Sequence, residues 1–162
     1  MDQVILYTDG SARANPDGPG GYGAILAVKD AAGRLHEKEL SRGYRVTTNN
    51  RMELMAVIAG LEELIRPCEV TVYSDSQYVV RAFNDHWIDN WQKKNWKRGK
   101  DPVKNVDLWT RLLEAMKPHK VTFCWVRGHN GHPGNERCDK LATTAADEGP
   151  WIKDEVYEKN RI

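Results

Sequence analysis

The chain holds few cysteines, almost no net charge and no long hydrophobic run. Its three cysteines, Cys68, Cys124 and Cys138, stand far apart and form no C-x-x-C pair. That excludes a disulfide framework and a cysteine-based zinc site. No stretch approaches the roughly 20 apolar residues that a membrane-spanning helix requires. Met1-Asp2-Gln3 runs straight into an apolar segment, without a basic leader or a small-residue cleavage site, so the expected compartment is the cytoplasm. Repeats and low-complexity linkers are lacking, and 162 residues fit one globular domain. We expect that domain over residues 1–148 and a weakly patterned C-terminal tail over 149–162, in a chain that acts as a monomer.

What is present is 40% hydrophobic and 29% charged residues, enough for one sizeable core under a well-solvated surface. The net charge of +1 does not point to a polyanion, but its distribution does. Lys93, Lys94, Lys97, Arg98, Lys100 and Lys104 crowd one short stretch opposed only by Asp101, with Trp87, Trp91 and Trp96 interleaved. A basic patch on a near-neutral domain suggests one face built for nucleic acid.

Val4 to Thr8, Tyr22 to Lys29 and His36 to Val46 read as three strands joined by turns, the second turn carrying Gly33. Leu54, Val57, Ile58, Leu61, Leu64 and Ile65 recur at helical spacing ahead of Pro67. Val70 to Ser74 and Val121 to Val126 read as further strands, and Ser76 to Phe83, Val106 to Met116 and Asn135 to Ala146 as helices. The order implies an α/β fold, a mixed five-stranded sheet flanked by helices, its first three strands antiparallel and the rest parallel.

The acids fall in a pattern on this scheme. Asp9 and Asp75 end strands, while Glu53 and Asp139 lie in the first turns of helices. Reactive groups gather where strands end and helices begin, because the loops there form a crevice. Carboxylates packed together repel, and a divalent cation removes the conflict; oxygen donors suit Mg²⁺ or Mn²⁺. Two such ions can activate a water and stabilise a leaving oxygen in phosphodiester cleavage. Each acid also has a plainer reading: Glu53 as a capping-box partner of Asn50, Asp139 as a solvated helix position, Asp9-Gly10 and Asp75-Ser76 as turn acids. Their shared edge favours the metal reading.

Several blocks then resemble bacterial type 1 ribonuclease H. They are Tyr7-Thr-Asp9-Gly10-Ser11 with Asn15-Pro16 and Gly18-Pro-Gly-Gly-Tyr-Gly-Ala-Ile, Thr47-Thr-Asn49-Asn50-Arg-Met-Glu53-Leu, and Ser74-Asp75-Ser-Gln77-Tyr-Val. Pro102-Val-Lys-Asn105-Val-Asp-Leu-Trp109 and Gly128-His129-x-Gly-His132-Pro-x-Asn135-Glu-Arg-Cys-Asp139 complete the set, which runs in the family's order to about Ala146. The resemblance implies an endonuclease that hydrolyses the RNA strand of RNA–DNA hybrids with two Mg²⁺ ions, Mn²⁺ being able to substitute, and leaves 5′-phosphate and 3′-hydroxyl ends. It implies Asp9, Glu53, Asp75 and Asp139 as metal ligands, Asp9 shared by both ions, and His129 as a loop histidine that moves protons or releases product.

It further implies that Asn15, Asn49 and Gln77 face the hybrid and that Thr48 and Asn105 form a phosphate pocket. Trp87, Trp91 and Trp96 with Lys93, Lys94, Lys97 and Arg98 would belong to a basic protrusion; the plainer reading of a tryptophan here is a core anchor, and we expect it to hold for Trp91 and for Trp109. Amide side chains suit the 2′-hydroxyl, which both donates and accepts hydrogen bonds. The chain departs from the family pattern at Arg13-Ala14, at Asp17, which looks inserted, and at Val46, where relatives often have a basic residue.

Three other readings compete. A hybrid-binding module that does not cut would lack a carboxylate, and all four are present. A transposase or junction resolvase of the same superfamily would lack the protrusion and the Gly128-His129 loop. A phosphatase using Asp9 would need an acid where Ser11 stands. A zinc site of His129, His132 and Cys138 lacks a fourth ligand and matching spacing.

Overall fold

The computed structural model describes residues 1–127 and 131–161. Three long strands, β1 (Asp2–Ala12), β2 (Gly18–Lys29) and β3 (Leu35–Thr47), form an antiparallel meander. β2 and β3 meet in a turn where Gly33 takes φ +80°, a conformation that glycine enters without a Cβ clash. Strand β4 (Cys68–Ser74) then lies parallel to β1. After the two-residue strands β5 (Lys97–Arg98) and β6 (Asp101–Pro102), which pair only with each other, β7 (Lys120–Trp125) lies parallel to β4. The main sheet runs β7-β4-β1-β2-β3, with a sixth strand, β8 (Trp151–Ile152), beside β3.

The mixed architecture is therefore the one the sequence implies, with one addition from the tail. Beyond β8 the chain forms a short helix, α6 (Glu155–Asn160). Sequence pattern misses both elements because neither buries an apolar face: every residue of β8 is exposed and none of α6 is buried. Polar contacts described below hold them.

Helix α1 (Asn49–Glu62) shows why a central helix looks different from a surface one. Every residue from Arg51 to Ile58 is buried, so it has no polar face at all. A helix enclosed all round sits inside a core. It packs against β1, β2 and the later helix α4 (Val106–Met116). Its apolar spacing predicts a helix through Ile65, but the helix ends at Glu62 and Ile65 is 97% exposed. Pro67 lies just downstream and disfavours helical backbone in the residue before it. Thr48, not Asn50, caps the helix: its side chain accepts from the Arg51 amide. Glu53 is thus the fifth helical residue and is not a capping-box partner.

The opposite face carries α5 (Pro133–Glu148). Alternation along β2 decides this, since a Cβ on Gly20 would strike Met52 of α1 whereas one on Gly23 would fall 2.4 Å from the Cys138 carbonyl oxygen of α5. The glycine lets helix and strand backbones meet almost directly, and Asp139 follows Cys138 by one residue. Helices α2 (Gln77–Asn84) and α3 (Trp87–Lys93) follow β4. Together with β5–β6 they form the excursion that carries the basic cluster.

Candidate active site

Asp9 lies in β1 near its end, Asp75 directly follows β4, and Glu53 projects from α1. Asp9, Glu53 and Asp75 each offer an oxygen, and all three lie within 4.8 Å of one another. Asp139, one turn beyond Asn135 on α5, lines the same small cleft with Asp9, Asp75, Arg127, His132 and Glu136. The fold thus brings together all four acids singled out in the sequence, three tightly and Asp139 at the rim. His129 lies outside the described residues.

Close backbone approach makes the tight trio possible. A Cβ on Gly10 would lie 2.5 Å from the Glu53 amide nitrogen, so only glycine lets β1 come this near α1. The Gly10 amide donates both to Asp9 Oδ1 and to Glu53 Oε1. One amide does not neutralise this much charge. Burial pushes the Asp9 carboxyl up to about 8, and the Asp75 and Asp139 charges add to the rise. Burial raises Glu53 well above the ordinary carboxylate range, reinforced by Asp9 and Asp75. Among the described residues, Glu53 Oε2 is buried without a hydrogen-bond partner. A buried acceptor left unsatisfied beside two further carboxylates is a donor set suited to a hard cation.

Asn135 carries a structural role that its place in the sequence block did not reveal. The β1–β4 ladder ends at Tyr7 and Tyr73, the point at which the two strands part to open the cleft. There the Asn135 amide group donates to the Thr8 and Tyr73 carbonyls, 3.2 Å each, and the Thr8 hydroxyl also donates to Tyr73 O. Asp139 stands four residues on, on the same helical face. A single side chain therefore ties together the carriers of Asp9, Asp75 and Asp139. The Asp75 carbonyl accepts from the Trp125 indole, which steadies the other flank. His132 packs beside Tyr7 and Tyr73 and Cys138 is fully buried; among the described residues neither belongs to a cluster of metal-ligating side chains.

The expected substrate residues spread outward from the acids. Asn15 Oδ1 accepts from the Asn49 amide, which joins the β1–β2 loop to the start of α1 beside Thr48. Gln77 is exposed at the start of α2. Asn105, with a left-handed backbone (φ 63°), donates to the Tyr78 hydroxyl and accepts from Arg51. It shares a cavity of about 430 Å³ with Asn50, Arg98 and Lys104. Lys93, Lys94, Lys97 and Arg98 are exposed.

The tryptophans form a cluster of mutually tilted rings rather than a row of free faces. Trp91 lies 6.1 Å from Trp87, 6.4 Å from Trp96 and 5.6 Å from Trp109, which is fully buried. Trp87 and Trp96 are half-buried, and Arg81 lies over the Trp87 ring. These aromatic contacts attach the basic excursion to the core.

Behind the site lies a buried ion cluster that the sequence pattern did not announce. Arg51 is 3% exposed and makes paired bonds to Asp107 and to Asp154 of the tail, and Asp154 also accepts from the Thr47 hydroxyl. Burial works against the Arg51 charge, but the two carboxylates outweigh it and raise its pKa. Burial likewise opposes ionisation of Asp107, and Arg51 overcomes it, holding that carboxyl below its usual range.

Comparison with known proteins agrees with this geometry. Residues 1–147 match the RNase H family model. The chain is 68% identical to a ribonuclease H of Lachnoclostridium phytofermentans over 157 residues, covering 96% of this chain and 99% of that protein. It is 59% identical to one from Sodalis glossinidius over 145 residues, covering 89% and 85% respectively. Among solved structures, LC9-RNase H1, described as a type 1 RNase H with the type 2 active-site motif, superimposes with a TM-score of 0.81 at 30% identity, covering 100% of this chain and 82% of that one. With its mixed sheet, its clustered carboxylates and these relatives, the chain belongs to the ribonuclease H family, endonucleases that hydrolyse the RNA strand of RNA–DNA hybrids.

Proposed function

We propose that Asp9, Glu53, Asp75 and Asp139 hold two Mg²⁺ ions, and that the site cleaves hybrid RNA in line to leave 5′-phosphate and 3′-hydroxyl ends. The observation that carries this reading is the carboxylate trio within 4.8 Å with an unsatisfied buried oxygen on Glu53. Bound there, such ions supply an activated water and neutralise charge on the leaving oxygen. Asp9 would be the ligand held in common, Asp139 would serve the side of the attacking water, and Glu53 and Asp75 would serve the leaving side. Asn135 keeps these groups in register through its two carbonyl contacts. His129 carries protons or speeds product release, a role suited to an imidazole that titrates near neutrality. Mn²⁺, equally an oxygen-seeking ion, is able to substitute.

Strand choice rests on the residues around the acids. The amides of Asn15, Asn49 and Gln77 read 2′-hydroxyls of the RNA strand. Thr48 and Asn105 take a DNA phosphate, with Arg98 and Lys104 lining the same cavity as Asn105. Lys93, Lys94, Lys97 and Arg98 neutralise further phosphates, and Trp87 and Trp96 support them from the half-buried tryptophan cluster. The protein works as a monomer in the cytoplasm; no helix among the described residues is long and apolar enough to cross a membrane.

The test is cleavage of an end-labelled RNA–DNA hybrid beside matched RNA–RNA and DNA–DNA duplexes, with Mg²⁺ and with EDTA. Metal-dependent loss of the RNA strand from the hybrid alone is expected. Binding without cutting would replace this reading with that of a non-cleaving module, and cutting of all three duplexes would remove the strand selection.

Replacing Lys93, Lys94, Lys97 and Arg98 with Ala tests the grip separately. Each lost phosphate contact lowers the salt slope of binding by about 0.9. The expected result is a KM for hybrid raised about tenfold or more at physiological salt, with kcat falling far less and a flatter dependence of KM on salt. A selective fall in kcat would show that the segment shapes the chemistry instead.

A further inference from the structure

The strongest feature outside the acid site is the way the C-terminal tail reaches back to the β1–β2 loop. That loop carries Asn15 and also Asp17, the residue that looks inserted relative to the family pattern. Asp17 takes φ +76°, a conformation that costs a residue with a side chain and that persists where its surroundings hold it. Its amide donates to the Thr47 carbonyl at 3.1 Å, and its carboxylate accepts from the Tyr157 hydroxyl of α6 at 2.5 Å. At the other end of the loop Arg13 forks onto Asp147 in the last turn of α5. The loop therefore closes on itself through Gly18 N to Ala14 O and is clamped from outside at both ends.

Tyr157 has a second neighbour. The Arg51 guanidinium sits 5.7 Å from its ring, and Arg51 donates to Asn105 at 3.3 Å. The same tyrosine thus stands between the loop bearing Asn15 and the arginine that orients Asn105. Helix α6 buries none of its residues, and its remaining anchors are the Arg45–Glu158 pair and the Asp154 carboxylate beneath it. An element with no fully buried residue adds little hydrophobic stability. Its contacts go instead to Asp17, two residues from Asn15, and to Arg51, which in turn donates to Asn105.

We propose that the tail is a positioning element for the hybrid: by holding Asp17 and facing Arg51, Tyr157 sets the placement of the Asn15 loop relative to Asn105 and so determines hybrid affinity. Tyr157 is a positioning residue and touches no reacting atom. The proposal rests on the reading of Asn15 and Asn105 as substrate contacts.

The experiment compares wild type, Tyr157→Phe, Asp17→Ala and the double variant on the same RNA–DNA hybrid, with kcat, KM and thermal midpoint measured for each. Loss of one hydrogen bond of this kind is expected to raise KM about 2- to 10-fold, with kcat within about twofold of wild type and the midpoint moved by no more than about 4 °C. Because both single changes break one contact, the double variant is expected to show a KM close to that of Asp17→Ala alone. Unchanged KM in both single variants would overturn the proposal while leaving the hybrid nuclease reading intact. A fall in midpoint with KM and kcat degraded together would also overturn it, since it would mark α6 as structural support only. Wild-type protein that leaves the hybrid intact would overturn the site reading and this inference with it.

Discussion

Asp9→Asn is expected to lower hybrid cleavage by about 10³-fold or more while hybrid binding persists within a few-fold. The magnitude follows from the several kcal/mol of charge stabilisation that bound divalent ions contribute, at about 1.4 kcal/mol per tenfold in rate. Asp9 is the central member of the cluster: it lies in the trio with Glu53 and Asp75 and feels the charge of Asp139. Cleavage by the variant near the wild-type rate would remove Asp9 from its central role.

The same variant should be more stable than wild type when no metal is bound, and the pH dependence has a definite sign. The Asp9 carboxyl is raised to about 8 in the folded protein against an ordinary value near 3.8. Between those two values the unfolded chain has released the proton and the folded chain retains it. Stability therefore falls as pH rises through that window, and above about pH 8 the penalty is complete. An asparagine removes it. In EDTA at pH 8 the Asp9→Asn midpoint is expected about 2–4 °C or more above wild type, a gain of about 1 kcal/mol at least. The gap should close towards pH 4, and, with Mg²⁺ as the proposed ligand, it should shrink or reverse on its addition, because an ion that binds only the folded site stabilises it by mass action. A wild-type protein that is the more stable of the two in EDTA at pH 8 would contradict the repulsive cluster.

Arg51→Ala is expected to have the largest effect on stability. It leaves Asp107 and the buried Asp154 without their cation, and breaking a buried pair from one side costs about 3–5 kcal/mol. For a chain of this length that lowers the thermal midpoint by roughly 6–20 °C. The tail should loosen with it, since Asp154 holds the segment between β8 and α6, and amide exchange of residues 151–160 should accelerate. Asp107 gives the pH dependence: its folded pKa is lowered, so its contribution is fully present above about pH 4 and is lost as pH falls through the folded value. The stability gap between wild type and Arg51→Ala should therefore be widest near neutrality and narrow in acid. A gap below about 1 kcal/mol at pH 7 would show that the cluster contributes little.

The family, the mixed sheet and the four acids were legible in the chain. Periodic apolar residues mark β1, β4, β7 and α4, and Asp75 sits where β4 stops, whereas β1 runs three residues past Asp9 to Ala12. The role of Arg51 was not legible. An arginine between Asn50 and Met52 looks like any helix residue, and only the enclosure of α1 makes its charge buried and costly. The tail was illegible for a related reason: β8 and α6 are held by hydrogen bonds and ion pairs to residues about a hundred positions away, and such contacts leave no local period.

The sequence by itself determined which side chains are chemically suited to the proposed roles, because oxygen donors for a hard cation and amides for a 2′-hydroxyl are properties of side-chain type. It also determined the meander and the helices, because apolar spacing dictates which faces must be buried. Tertiary structure alone decided that Asp9, Glu53 and Asp75 come within 4.8 Å while Asp139 stays at the rim. It decided that the tryptophans face one another and that Tyr157 reaches Asp17 across 140 positions of chain. Those are distances between elements, and they are set by how closely backbones pack, at Gly10 against α1 and at Gly23 against α5.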